Sequence, residues 1–257
     1  MAISRAQLLK ELLPGLNALF GMEYARYDDE HTEIYETESS DRSFEEEVKL
    51  SGFDAAPVKD EGDAISYDAA QESFVARYNH ETIAMGFAIT EEAMEDNLYD
   101  SLSARYTKAL ARAMAHTKQV KSVFPLNNGF TAAYQGGDGV NLFTASGDGV
   151  TGGDGHPLVS GGKNSNRPVT AADLNETSLE AAVIQIGKWT DERGLLIAAR
   201  PKTLVIPPDL QFVATRVMKS DLRPGTADND INALRSMNII SGGTVVNHYL
   251  TDTDAWF

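Results

Sequence analysis

The chain has 257 residues, 42% of them hydrophobic, with a formal net charge of −16 and no cysteine. That length and composition allow a sizeable core and exclude general disorder, and the lack of cysteine excludes disulfides, thiolate metal sites and a cysteine nucleophile. The charge is uneven: residues 1–75 hold 18 acids against 6 bases, so a conventional nucleic-acid reader, which needs clustered Lys and Arg to neutralise phosphates, is disfavoured.

The first segment, Ser4 to Phe20, places Leu8, Leu9, Leu12, Leu13, Leu16 and Leu19 at helical spacing and is interrupted by Pro14-Gly15. It predicts a short amphipathic helix with a kink or break. No run of eighteen apolar residues occurs and the N-terminus lacks the pattern of an export signal, so the chain reads as soluble and unexported. The acid-rich stretch "YDDEHTEIYETESSDRSFEEE" reads as a solvated, extended arm. After it, "VKLSGFDAAPVKDEGDAISYDAAQESF" carries β-type residues on both sides of a turn-dense "KDEGD", the pattern of a long hairpin-like excursion with too few large apolar residues to hold its own shape.

The stretch "TIAMGFAIT" alternates, with Ile83, Met85, Phe87 and Ile89 on one face, and predicts a half-buried strand. From Glu91 to about Lys121, after Thr90 as N-cap, the sequence predicts its strongest helix. Acids fill the first turns, whereas Arg105, Lys108, Arg112, Lys118 and Lys121 fill the rest, matching the helix dipole. Its apolar stripe runs Met94, Leu98, Leu102, Tyr106, Leu110, Met114, and it is expected to stop before Pro125.

The middle of the chain is rich in Gly, Asp, Asn and Ser and reads as flexible turns. Its two "GGDG" copies, starting at Gly136 and Gly152, match calcium-binding nonapeptides poorly, because Asn141 and Pro157 stand where acids are needed and two copies cannot build a solenoid. A further helix is expected over about Ala171 to Arg193, with Leu179, Val183, Ile186 and Trp189 inward and Gly194 as its C-cap. "TLVIPP" predicts a buried strand, "DLQFVATRVMKS" a helix, and "MNIISGGTVVNHYLT" a β-hairpin about Gly242-Gly243. The class is therefore α+β.

No chemistry assembles along the chain. The five histidines lack ligand spacing, the nucleophile elbow and phosphate-binding glycine loops are absent, and acids such as Asp191 and Glu192 read as solvated or capping groups. No enzyme, metal or cofactor is expected. What stands out is reach: an acidic arm, an under-packed hairpin and an overlong helix, all of which call for neighbours.

Four ordered segments, "FAITEEAMEDNLYDSLSARYTKALARAMAHTKQ", "LNNGF", "AADLNETSLEAAVIQIGKWTDERGLLIAARPKTLVIPPDL" and "LRPGTADNDINAL", resemble the major capsid proteins of tailed bacteriophages, in the branch of the Mu-like head subunits. The resemblance implies a Hong Kong 97-type fold, with residues 1–45 as N-terminal arm and 46–76 as extended loop. Residues 77–125 would be the strand and spine helix of a peripheral domain, and 126–257 mostly an axial domain. It implies no cofactor and no catalysis, but a shell around phage DNA held by confinement, located in the virion capsid and assembled in the host cytoplasm. Its partners would be copies of itself in hexamers and pentamers, a scaffolding protein or protease-scaffold, a portal and a decoration protein, with no membrane. Contacts between subunits are expected at Lys49, Lys59 and Glu61 in the loop, and at Arg223, Asp228 and Asp230 in "RPGTADNDINAL". On this resemblance, the strands that return to the peripheral domain in relatives are expected to be missing after "TDTDAWF", and no cleavable N-terminal scaffold segment is expected. An encapsulin-like shell around cargo enzymes and a calcium-binding Gly/Asp-rich module are the alternatives.

Overall fold

A computed structural model describes residues 5–88, 90, 92, 99–147, 154–223 and 230–257, with only the backbone of 5–14 and 99–102. These residues form two compact units, one of residues 1–38 and 81–124, the other of 39–80 and 125–257.

In the first unit, helix α1 spans Arg5–Tyr24 without a break at Pro14-Gly15. A proline deletes one backbone N–H, hence one rung of the helix, and the Leu-, Ala- and Met-rich sequence on both sides supplies the propensity to continue. The expected strand at 82–90 is not formed among the described residues: residues 81–88 have no regular secondary structure, Ile83, Met85 and Phe87 are all exposed, and Ile89 lies outside the described residues. Alternation alone does not make a strand; a partner edge must satisfy its N–H and C=O groups, and none of the described residues provides one.

The spine helix, α2, covers Tyr99–Asn128, about 45 Å at ~1.5 Å per residue; of its expected start, 91 and 93–98 lie outside the described residues. Contrary to expectation it runs through Pro125. An interior proline costs ~3 kcal/mol. Burial of Val123 and Leu126 on either side, and the bonds of Asn127 to Tyr249 O and Thr251 N at 3.0 Å each, offset that loss.

The acidic stretch is less solvated than its composition suggests. Residues Glu30–Glu33 form a 3-10 turn docked on α2: Lys118 Nζ reaches Asp29 at 3.0 Å, and Gln119, 2% exposed, donates to Asp28 O at 3.3 Å. The Gln119 amide also donates to His31 Nδ1, while its Oε1 accepts from His31 N, both at 3.3 Å.

In the second unit, strands β1 (Phe44–Leu50) and β2 (Glu72–Asn79) pair antiparallel from Phe44↔Asn79 to Leu50↔Glu72, with an irregularity between Val48 and Leu50. Short β3 (His156–Pro157) and β4 (Lys163–Asn164) form a second antiparallel pair. Helix α3 is shorter than expected, Glu176–Gly187, capped by a reciprocal Asn175/Ser178 box. Trp189 and Gly194 lie beyond it; Gly194 (φ +87°) closes a tight turn, its N–H on Asp191 O at 3.1 Å.

Strand β5 (Leu204–Ile206) is buried as expected, and helices α4 (Gln211–Lys219) and α5 (Ala233–Ser236) follow. The expected hairpin about Gly242-Gly243 is not formed. Instead β6 (Thr244–Val246) pairs parallel with β5, Leu204↔Thr244 to Ile206↔Val246, after a crossover that contains both helices. The apolar run before the glycines serves the core: Ile240 is buried with Leu174, Leu179, Leu204, Ile206, Ala214, Val217 and Leu234. Gly242 is required sterically, since a Cβ there would sit 2.5 Å from Thr203 Oγ1 and 2.7 Å from Lys202 O. Phe257 extends the sheet by exchanging N–H···O bonds with Val205 (2.7 and 2.9 Å) and packs its ring on Phe143 at 5.1 Å.

The core predicts its own mutational pattern. Ile206→Ala, at a fully buried position, should lower unfolding free energy in urea by about 2–5 kcal/mol. Ile184→Ala, at a position on α3 that is 58% exposed, should stay within about 0.5 kcal/mol.

Candidate subunit-contact loop and its root

Between β1 and β2 the chain leaves the body for twenty-one residues, Ser51 to Gln71, with no regular structure beyond a turn at Glu61-Gly62. Gly62 takes φ +92°, and Asp63 N bonds Asp60 O at 3.2 Å to close that turn. The loop displays apolar groups that water disfavours: Val58 and Tyr67 are each 96% exposed, Ile65 69% and Phe53 60%.

Its root is anchored. Ser51, 2% exposed, donates N–H to Gln71 O at 2.8 Å and accepts from Gln71 N on Oγ at 2.9 Å. One step out, the Asp68 carboxylate accepts from Asp54 N at 2.7 Å and Ala69 N at 2.8 Å. Those two N–H donors, in that order, with the nearby Arg193 charge, hold the Asp68 carboxyl below the usual range.

The anchor comes from the Trp189–Ile197 turn. Arg193 donates to Ala69 O at 2.8 Å and Gly52 O at 3.3 Å and lies 3.6 Å from Asp54. Beside it Lys49 Nζ is ion-paired with Glu192 and lies 5.2 Å from the centre of the Phe74 ring. Glu192 is the buried member, its side chain 7% exposed against 46% for Lys49, and its second oxygen accepts from Val159 N at 3.3 Å. Asp191 shapes the turn by accepting from Arg193 N and Leu195 N at 2.9 and 2.8 Å.

Asp191 thus caps its turn, one of the two roles expected of it, whereas the buried, ion-paired Glu192 corrects the reading of that residue as a solvated or capping group. The short-range cue for Asp191 was present, an Asp three residues before a Gly. Nothing local pointed to Glu192, because its partner is 143 positions away in the sequence. Of the acids just before Lys49, Glu46 pairs with Arg77 at 3.5 Å and Glu45 lies 3.9 Å from Arg42, leaving Lys49 for Glu192.

The remaining candidates divide. Lys59 and Glu61 sit at the exposed tip, and the only bond of Lys59 among the described residues is to Asp60 O at 3.4 Å. Arg223 turns inward: its Nε donates to Glu176 at 2.9 Å, where the carboxylate is 8% exposed, and that bond raises the guanidinium pKa further. Arg223 N also bonds Asp230 O at 3.0 Å, and Leu222 bridges Ile231, so both ends of "RPGTADNDINAL" are tied together. Asp228 lies outside the described residues. Sequence reasoning missed the fully buried Asn232, whose amide donates to Val217 O at 2.6 Å and Ser220 O at 3.2 Å and so ties its own position to the end of α4.

The described glycine-rich turns are likewise tied down. Asp138 meets His156 Nδ1 at 2.6 Å, and Asp154 meets Lys163 at 2.8 Å, which with Gly147 N holds its carboxyl low. Their acids are thus engaged with side chains, and no cluster of three metal-binding side chains occurs among the described residues. Gly152 lies outside those residues.

A family model described as phage capsid protein matches residues 75–257. The structure is similar to a chain from the procapsid of bacteriophage JBD30, with a TM-score of 0.60 at 15% identity, covering 96% of this chain and all of that one. The likeness shows a shared fold. No curated protein matches.

Two outcomes follow from the root. Glu192→Ala strands Lys49 and should cost about 1–2 kcal/mol, less than the ~3–5 kcal/mol of a fully buried pair because Lys49 is 46% exposed. Hydrogen exchange at Ser51 and Gln71 should then quicken at least about tenfold. Because Asp68 is depressed, its contribution is present above the unfolded carboxylate pKa and is lost as pH falls through the folded value. Exchange at Asp54 and Ala69, corrected for intrinsic rate, should therefore rise in acid, and Asp68→Asn should abolish that dependence.

Proposed function

The chain belongs to the phage capsid protein family, a family of shell-forming structural proteins, and we propose that its shell is an icosahedral phage head built from hexamers and pentamers of the chain around double-stranded DNA. The observation that carries this reading is the Ser51–Gln71 loop: its root is fastened, yet its apolar side chains have no cover. A loop held at its base and bare at its tip gains stability only by burial against another surface. On this reading residues 1–45 are the arm, 46–76 the extended loop, and 126–257 mostly the axial domain that carries the Arg223–Asp230 segment.

The same reading assigns a scaffolding protein or protease-scaffold, a portal and a decoration protein as partners, and assembly in the bacterial cytoplasm. DNA is held by confinement: with −16 per subunit, the free chain should give no gel shift with duplex DNA at physiological salt. No covalent chemistry is assigned to the shell. Lys49 is engaged with Glu192, and Lys59 is followed directly by Asp60 and Glu61.

Expression of the full chain should yield closed particles visible by electron microscopy. Light scattering that finds only compact monomer at high concentration, with scaffold present, would rule the reading out. Particles boiled in SDS should run as one monomer band; a ladder lost on Lys59→Ala would reveal cross-linking. DNA in native particles separates a phage head from an encapsulin-like shell, which would carry enzymes.

A further inference from the structure

One patch of the second unit has its charges cancelled and its apolar groups bare. The Trp189–Ile197 turn is a short hairpin, held by Asp191 N on Leu195 O at 2.8 Å, Ile197 N on Trp189 O at 3.0 Å and the Thr190↔Leu196 bridge. Its outgoing limb reads Leu195-Leu196-Ile197, and all three residues are exposed, Leu196 to 64%. Ala198 follows at φ +54°, a left-handed conformation that a residue with a Cβ adopts only against a steric penalty, so the turn that leaves these side chains bare is held against strain. Beside the limb lies a cleft of about 410 Å³, walled by Trp189, Leu158 and Ile197 and, from the loop root, by Leu50 and Gly52. A second cleft of like volume, lined by Ala181 and Ile184 of α3, shares Trp189 with it.

The polar side chains of the first cleft are spent on the protein itself. Asn164 donates to Thr190 O at 2.7 Å and accepts from Thr190 Oγ1 at 3.2 Å, Asn166 accepts from Thr144 N at 2.9 Å, His156 is taken by Asp138, and the Trp189 indole donates to Ser165 O at 3.1 Å. The charged side chains lining the two clefts, Lys49 and Lys188 against Asp191 and Glu192, cancel. A sugar, a nucleotide or an acidic peptide finds little to bind there, and recognition falls to apolar burial. On a chain of −16, a neutral patch is also where two copies approach each other without repulsion. A small apolar molecule would fill the cleft and leave Leu196 bare, whereas a second copy offers both a knob and a hole. Leu196 adjoins Ile197 of the cleft wall, so knob and hole lie side by side, and a two-fold axis between them brings each knob over the other copy's hole.

Resting on the shell reading above, we propose that two copies meet face to face through this patch, Leu196 of each seated in the Trp189 cleft of the other, and that this isologous contact joins one ring of copies to the next. Contacts within a hexamer or pentamer repeat head to tail around the ring, so a two-fold contact cannot close such a ring and serves the junction between rings instead. Its strength comes from apolar burial. It therefore persists at high salt, which screens charge pairs, and weakens on cooling, as hydrophobic association does.

The test uses the full chain, whose lack of cysteine makes an introduced thiol unique. Leu196→Asp, checked for an unchanged melting temperature, should lower the fraction sedimenting as particles at least about tenfold and leave free hexamers and pentamers in native mass spectrometry. Leu196→Ala should give a milder loss of the same kind. In particles assembled from ¹⁴N chains carrying Leu196→Cys and ¹⁵N chains carrying Leu158→Cys, a short bis-maleimide should join the two kinds of chain. If Leu196→Asp melts early, this cross-link alone decides. Wild-type particle yield from a folded Leu196→Asp chain, or no bond between differently labelled chains, overturns the contact and leaves the shell reading intact. Collapse of that variant to folded monomer, with no rings, places Leu196 inside the ring and overturns the isologous assignment. A cleft filled by a different protein in electron microscopy of native particles overturns it too. A wild-type chain that forms no particles overturns the shell reading, and this contact with it.

Discussion

One buried carboxylate governs the part of the molecule that reaches outward. Glu192 is desolvated, so it must be paired, and Lys49 together with Val159 N provides the pairing. Lys49 sits at the irregularity of the β1–β2 pair, where the ladder departs from strict alternation and a side chain can be re-aimed. The result is a β-ribbon whose direction is set by a turn far away in sequence. Arg193 then continues the fixation outward by binding the carbonyls of Gly52 and Ala69 on both limbs of the loop.

This arrangement divides the loop into a held base and a free tip. Up to Asp54 and Asp68 the backbone is hydrogen-bonded and the charges are matched; beyond them the acids are unmatched and the apolar groups bare. A loop that was loose throughout would lose more conformational entropy on docking than a few contacts return. Holding the base lowers that cost in advance, which suits a subunit meeting many identical neighbours.

The same logic recurs elsewhere. Asn232 is fastened to the C-terminal end of α4, Gln119 fastens the acidic 28–31 stretch to α2, and Asp138 and Asp154 fasten the described parts of the glycine-rich turns. In each case a polar side chain satisfies backbone or charged groups that would otherwise have to stay in water. The described residues of segments that composition marks as loops are thereby given definite partners.

How much of this was legible beforehand depended on the range of the interaction. Helical spacing placed α1, α2 and α4, and the run Leu204–Ile206 placed β5, because periodicity and burial of a short apolar stretch are local properties. The long excursion and the inventory of acids at its tip were readable too, and so was the family resemblance. The partners were not: whether Ile83–Phe87 pairs, whether Thr244–Val246 folds back or joins β5, whether Pro125 ends a helix, and whether Glu192 is solvated or buried. Each of those outcomes rests on residues distant in sequence, a strand edge, a crossover, a packed flank or Lys49, and the packing of the folded chain alone decides them.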